Sequence, residues 1–191
     1  MQTITFGLIA TSDRASSGVY ADEGIPALKN WLGSTVKNPI RFVEALIPDE
    51  QAEIEAVLRR MADDEGCDAV FTTGGTGITS RDLTPEGTEP LITQRMWGIE
   101  AKMRDNPAVP TSAISRGIAG IAIADGKRAF VMNAPGSTGG VKDAITAVGP
   151  LLAHIVDQMD DGDHPAPVAP AESTTVPSES ATTPSESSTS E

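Results

Sequence analysis

One short stretch restricts the fold of this chain more than any other. An apolar run, Ala69-Val70-Phe71, leads straight into Thr72-Thr73-Gly74-Gly75-Thr76-Gly77, and Thr84-Pro85-Glu86 then opens a helix. A strand that ends in a glycine-rich turn and re-enters as a helix is the unit of an open α/β sheet, which binds ligands at the carboxyl ends of its strands. Glycines let the backbone take positive φ and come close to a ligand, and successive N–H groups of such a turn form an anion-binding nest. Thr72, Thr73 and Thr76 add hydroxyls, and Asp82 sits where a carboxylate could hold a metal ion against a phosphate. The pattern is neither a P-loop nor G-x-G-x-x-G, so a tight structural turn stays open beside an anion site. For Asp82 the alternative is a local Asx-turn. Thr84 is the better helix cap, with Pro85 at the first helical position.

The flanking periodicities extend the pattern. Ile4 to Ala10 reads as a buried strand, Gly24 to Leu32 as a helix and Arg41 to Ile47 as a second strand. Ile54, Val57, Leu58 and Met61 mark one stripe of a long helix, for which Asp49 is a candidate cap. Two helical stretches follow the glycine loop, to about Asn106. Gly120 to Ala124 and Lys127 to Met132 flank Asp125-Gly126, a hairpin signal. A last helix spans Val141 to Met159, with Pro150 expected to kink it. The expected fold is a three-layer α/β/α domain over residues 1–159, with a mostly parallel sheet and a short antiparallel hairpin.

Residues 160–191 read differently. They hold seven acidic residues, five prolines, no Lys or Arg, and otherwise mostly Ser, Thr and Ala. Such a composition cannot offset its ordering entropy by burial, so a disordered tail is expected. Removing its −7 from the chain's −13 leaves −6 for residues 1–159. An acidic body argues against nucleic acid, and an anionic ligand must then be held by backbone N–H groups, single cations or a metal. One cysteine, Cys67, excludes an internal disulfide, and a small buried hydrophobe is its expected role. His154 and His164 are too few for a zinc site. Without a basic stretch before the first apolar run, and without a run of membrane-spanning length, a cytoplasmic protein off the membrane is expected.

Three further segments could face the same crevice. Thr11-Ser12-Asp13-Arg14 follows the first strand, and Arg14 is a cation for a phosphate or for a surface salt bridge. Pro48-Asp49-Glu50 follows the second strand. Asn133-Ala134-Pro135-Gly136-Ser137-Thr138-Gly139-Gly140 joins the last strand to the last helix as a second glycine-rich turn, where free N–H groups favour an anion. Two such turns suggest a ligand with more than one phosphate.

Together with Leu46-Ile47-Pro48-Asp49-Glu50, Arg81-Asp82 and Thr84-Pro85-Glu86, these segments resemble the molybdopterin adenylyltransferases of molybdenum cofactor synthesis. The resemblance covers residues 4 to about 156 and stops before the tail. It implies a molybdopterin-binding α/β fold, a homotrimer, and use of ATP with Mg2+ to adenylylate the terminal phosphate of molybdopterin, releasing pyrophosphate. It also implies hand-over of the product to a molybdenum-insertion enzyme. Asp49 and Asp82 match the family's acidic active-site positions, which implies catalysis and metal binding. Thr73, Gly74, Gly75, Thr76 and Gly77, with Pro135, Gly136 and Ser137, match nucleotide- or phosphate-binding turns. Ser12, Asp13 and Arg14 match a loop bordering the nucleotide. Ser112, Ser115 and Arg116 lie in the segment that contacts the pterin in relatives. Many relatives carry proline and lysine after Gly136-Ser137; this chain has Thr138-Gly139-Gly140, with Lys142 as a candidate substitute. A non-catalytic molybdopterin-binding module and a nucleotide pyrophosphatase remain the competing readings.

Overall fold

A computed structural model describes residues 2–160 except residue 125 and the side chain of Ala124. The expected tail, apart from Asp160, lies outside the described residues.

Chain order gives β1 (Ile4–Thr11), α1 (Asp13–Ser16), α2 (Gly24–Thr35), β2 (Ile40–Ile47), α3 (Gln51–Asp63) and β3 (Ala69–Thr73). Then follow α4 (Thr84–Thr88), β4 (Ile92–Arg95), α5 (Trp97–Arg104), β5 (Ala119–Ala124), β6 (Lys127–Ala134) and α6 (Thr138–Met159). The six strands form one sheet in the order β2-β1-β3-β6-β5-β4. The first four are parallel, whereas β5 runs antiparallel to both β6 and β4.

Alternation along β1 explains the layers. Phe6, Leu8 and Ala10 face one side, where they pack with Leu28 and Leu32 of α2 and Val141, Ile145 and Leu152 of α6. Ile9 faces the other side, against Ile54, Leu58 and Met61 of α3. A strand buried on both faces has no solvated side to pattern, hence its continuous apolar run. At Gly7 a Cβ would lie 2.7 Å from Met61 Sδ, so α3 seats directly on the backbone of β1. Across the other face an aromatic row, Phe42–Phe6–Phe71–Phe130, steps from strand to strand at 6.2, 5.8 and 6.0 Å between centroids. Cys67 is buried as expected, and burial pushes its thiol up to about 12.

Four local expectations are corrected. The stretch between the glycine loop and Asn106 is not two helices alone, because it contains the edge strand β4. Ile92, Gln94 and Arg95 of this four-residue strand pair with β5, with a register shift at Thr93, and a segment that short carries no readable period. Helix α6 begins at Thr138, where the Ser137 hydroxyl accepts from the Gly140 N–H at 3.1 Å. Pro150 falls inside α6, as read from the sequence. Neither expected cap forms: Glu50 holds the cap position of α3 and Leu83 that of α4, and neither side chain caps. The carboxylate of Asp49 and the hydroxyl of Thr84 are drawn instead into tertiary contacts.

The chain leaves β1 through α2 to reach β2 on one side and returns through α3 to β3 on the other. The reversal between β1 and β3 opens a crevice at their carboxyl ends, where sheets of this kind bind ligands.

Candidate active site

The crevice is floored by buried hydroxyls and amides. Thr11 Oγ1 bonds the Thr73 carbonyl at 3.3 Å and lies 2.9 Å from Thr84 Oγ1. Asn133 donates to Thr72 and Thr88 and accepts from the Ile118 N–H. These polar side chains are fully or almost fully buried, and each has a partner, so they fix the strand ends rather than offering a site.

The glycine loop lies on this floor. Gly74 and Gly75 take φ of +100° and +59°, which non-glycine residues rarely adopt. A Cβ on Gly74 would collide with the Thr11 carbonyl, and one on Gly75 would lie 2.5 Å from Asp49 Oδ1. Among the described residues the N–H groups of Gly75, Thr76 and Gly77 take no partner. The second glycine turn is tied to the first: Thr73 Oγ1 donates to the Pro135 carbonyl at 2.9 Å, and the Gly74 N–H donates to the Ala134 carbonyl.

Two clefts open on either side of this paired turn. The larger, about 580 Å³, is bordered by Ser12, Tyr20, Asp22, Asp49, Gly74, Gly75 and Gly136. The smaller, about 320 Å³, is bordered by Thr76, Gly77, Ser112, Ser115, Pro135 and Ser137, with apolar walls from Met103, Val109 and Ile114. The residues matched to nucleotide turns are thus divided between the clefts, and Ser112 and Ser115 fall in the smaller one. Apolar walls suit a flat ring, and polar glycine-rich walls suit phosphates.

Asp49 borders the larger cleft, whereas Asp82 borders neither cleft and stands beside the glycine loop at Gly77. Asp49 Oδ2 accepts from the Asp13 N–H at 3.2 Å, and the Asp49 N–H donates to Asp13 Oδ1 at 3.1 Å. Asp49 Oδ1 is shut from solvent and takes no hydrogen bond among the described residues. Burial pushes the Asp49 carboxyl up, and the charges of Asp13 and Asp82 add to it. Asp82 Oδ2 accepts from the Thr79 N–H at 2.8 Å, and the Asp82 N–H donates back to the Thr79 carbonyl. These bonds close a local turn back onto Thr79, three positions upstream, not the Asx-turn to a residue two positions on that the sequence left open. The same oxygen would stand 2.8 Å from a Cβ on Gly77, so it also faces the loop.

The remaining candidates take different places. The Asp13 carboxylate receives the Arg81 fork at 2.9 Å on each oxygen; this bond holds its carboxyl below the usual range. Ser12 caps α1, and its hydroxyl meets Tyr20 at 2.9 Å. Arg14 lies over the Tyr20 ring, 5.1 Å from its centroid. The Arg116 guanidinium braces the glycine loop from below, donating to the Gly77 and Asp82 carbonyls at 2.6 Å and to Glu86. That pairing lowers the Glu86 carboxyl. Lys142 lies over the Trp31 ring at 5.2 Å, away from both clefts. Sequence reasoning missed Tyr20 as a cleft wall and Arg81 as a partner of Asp13. Among the described residues no group of three or more His, Cys, Asp or Glu is arranged to hold a metal, and no helix is long and apolar enough to cross a membrane.

A family model described as a probable molybdopterin binding domain matches residues 7–154. The molybdopterin adenylyltransferase of Escherichia coli K12 is 41% identical over 158 residues, covering 82% of this chain and 79% of that protein. Its namesake in Helicobacter pylori 26695 is 38% identical over 159 residues, covering 82% and 88%. Among solved structures, the molybdopterin biosynthesis enzyme MoaB of Thermus thermophilus superposes with a TM-score of 0.74 at 33% identity, covering 83% of this chain and 97% of that one. With its crevice, paired glycine turns and twin carboxylates in place, the chain belongs to the molybdopterin-binding domain family of molybdenum cofactor biosynthesis, which includes the molybdopterin adenylyltransferases.

Proposed function

We propose that the chain is a molybdopterin adenylyltransferase, converting ATP and molybdopterin to adenylyl-molybdopterin and pyrophosphate. The observation that carries this reading is the pair of clefts meeting at one glycine loop, with two carboxylates beside it. ATP occupies the larger, polar cleft, and the pterin ring lies between the apolar walls of the smaller one. Their phosphates meet at Gly75–Gly77, whose unpartnered N–H groups hold oxygen atoms of the transferring phosphate.

A terminal phosphate oxygen of molybdopterin forms a bond to the α-phosphorus of ATP. The bridging bond between the α- and β-phosphates breaks, and pyrophosphate leaves with the bonding pair. The attacking phosphate monoester is already anionic near neutral pH, so a histidine-poor site needs no strong base, and positioning supplies most of the catalysis. Mg2+ fits the residues present, because the buried, unbonded Oδ1 of Asp49 is an oxygen donor of the kind this hard cation seeks. Asp49 and Asp82 would hold the ion. It would neutralise charge shared between the ATP phosphates and the departing pyrophosphate. Ser112 and Ser115 orient the pterin, and Arg116 keeps the loop beneath it rigid. The family resemblance carries the remaining parts of the reading: a cytoplasmic homotrimer that hands its product to a molybdenum-insertion enzyme.

Mixing the full-length chain with molybdopterin, ATP and Mg2+ tests the reading. Pyrophosphate release that requires molybdopterin is expected. Release without molybdopterin would make the protein a nucleotide pyrophosphatase, and no release with intact binding would make it a molybdopterin-binding module.

A further inference from the structure

Arg81 precedes Asp82 on the loop after β3, yet its side chain reaches across to the loops that follow β1 and β2. Its Nε and one terminal nitrogen bond the two oxygens of Asp13, each at 2.9 Å, and the same terminal nitrogen bonds Glu50 Oε1 at 2.9 Å. Asp13 in turn exchanges two backbone–carboxylate bonds with Asp49. One continuous chain of contacts therefore runs from the residue beside Asp82, through Asp13, to Asp49. Its far end is the carboxylate with the buried, unbonded oxygen. The segments also meet through the Ser12 N–H on the Ile47 carbonyl and through the Thr11–Thr84 hydroxyls, but neither contact orients the carboxylates: α3 has no side-chain cap, and the Asp82 turn is closed on itself through Thr79.

We propose that Arg81 is a positioning residue, a latch that sets the spacing between Asp49 and Asp82 and so the competence of the pair to hold a divalent cation against ATP. The inference rests on the reading of these two aspartates as Mg2+ ligands. The fork matters as well as the charge. A guanidinium presents parallel donors that fix the orientation of the Asp13 carboxylate, whereas a lysine ammonium supplies charge without that constraint. With Asp13 pinned, Asp49 keeps Oδ2 on the Asp13 N–H and Oδ1 toward the glycine loop. Arg81 is about half exposed, so its substitution should leave the core undisturbed.

The test is calorimetric titration of ATP into the full-length chain, once with saturating Mg2+ and once in EDTA. The ratio of the two dissociation constants reads the metal contribution without turnover. In R81Q this ratio should fall roughly fivefold, near the upper end for one exposed ion pair, and in R81K by a smaller factor with affinity in EDTA unchanged. The double variant D13N/R81Q should be no worse than the poorer single variant, since both cut the same chain of contacts. Wild-type ratios in R81Q and R81K would overturn the latch. So would an equal loss of ATP affinity with and without Mg2+, which would make Arg81 a direct phosphate contact, and so would strict additivity with D13N. D82N separates the two levels of the argument: loss of the ratio in D82N but not in R81Q sinks the latch alone, whereas a wild-type ratio in D82N sinks the metal reading itself. Thermal melts accompany each variant, and R81K decides the matter if R81Q fails to fold.

Discussion

Gly75→Ala separates what the glycine loop does for the fold from what it does for the ligand, because the chain contains a matched control. Gly66 takes φ +62° and Gly75 takes φ +59°, so an alanine at either position meets the same left-handed backbone penalty, roughly 1–2 kcal/mol. The surroundings differ. Nothing lies within 4 Å of a Cβ on Gly66, whereas on Gly75 it would meet Thr84 Oγ1 and, at 2.5 Å, Asp49 Oδ1. Crowding of that kind adds about 1–3 kcal/mol. Gly75→Ala should therefore lose roughly 2–5 kcal/mol against about 1–2 for Gly66→Ala. At about 2–4 °C per kcal/mol for a domain of this size, the melting temperature should fall by roughly 4–20 °C in the first and by roughly 2–8 °C in the second. Relief of the clash must move Asp49 or Thr84, so Gly75→Ala should also lose Mg2+-dependent ATP binding while Gly66→Ala keeps it. Differential scanning fluorimetry and ATP calorimetry on the pair decide the matter. Equal melting temperatures, or a destabilised Gly75→Ala that binds MgATP like wild type, would refute the claim that this glycine clears space for the site.

Asp49→Asn and Asp82→Asn keep the shape and the Thr79 and Asp13 hydrogen bonds, so both should fold. Adenylyl transfer should drop roughly a hundredfold or more in each, and turnover within a few-fold of wild type would remove the metal-carboxylate mechanism. The pH dependence of stability has a definite sign. Burial raises the Asp49 carboxyl in the fold, so its protonated form favours the native state; that contribution is complete below the unfolded value near about pH 4 and is lost as pH rises through the folded value. In EDTA, Asp49→Asn should therefore gain stability relative to wild type on going from acid to neutral pH, and a constant difference between the two melting curves would contradict this. Asp13 and Glu86 work the other way: their arginine partners lower both carboxyls, so their contributions fade as pH falls through the folded values. Deleting residues 165–191 should leave melting temperature and activity almost unchanged, because that composition has little to pack; a large drop in the melt would show that the tail docks.

What the sequence determined by itself is the part carried by local chemistry. Strand, glycine turn and helix follow one another within a few residues of Gly74, so periodicity and φ demands state the fold class without any knowledge of distant contacts. The same locality explains why Cys67, the stripe of α3 and the β5–β6 hairpin were legible, and why the motifs suffice to mark the family. The misreadings have the opposite cause. Strand β4 is only four residues long and exists because β5 lies beside it. Asp49 and Thr84 looked like helix caps because capping is a local rule, yet Asp13 and Thr11 claim them across the crevice. Arg81 and Asp13 lie 68 positions apart, and no spacing rule pairs them. The division of one run of loop residues into two clefts is likewise decided only when Pro135 and Gly136 cross the end of β3. Backbone demands travel with the residue, whereas the partner of a charged or hydroxyl side chain is chosen by whichever chain segment the packed sheet brings within hydrogen-bonding distance.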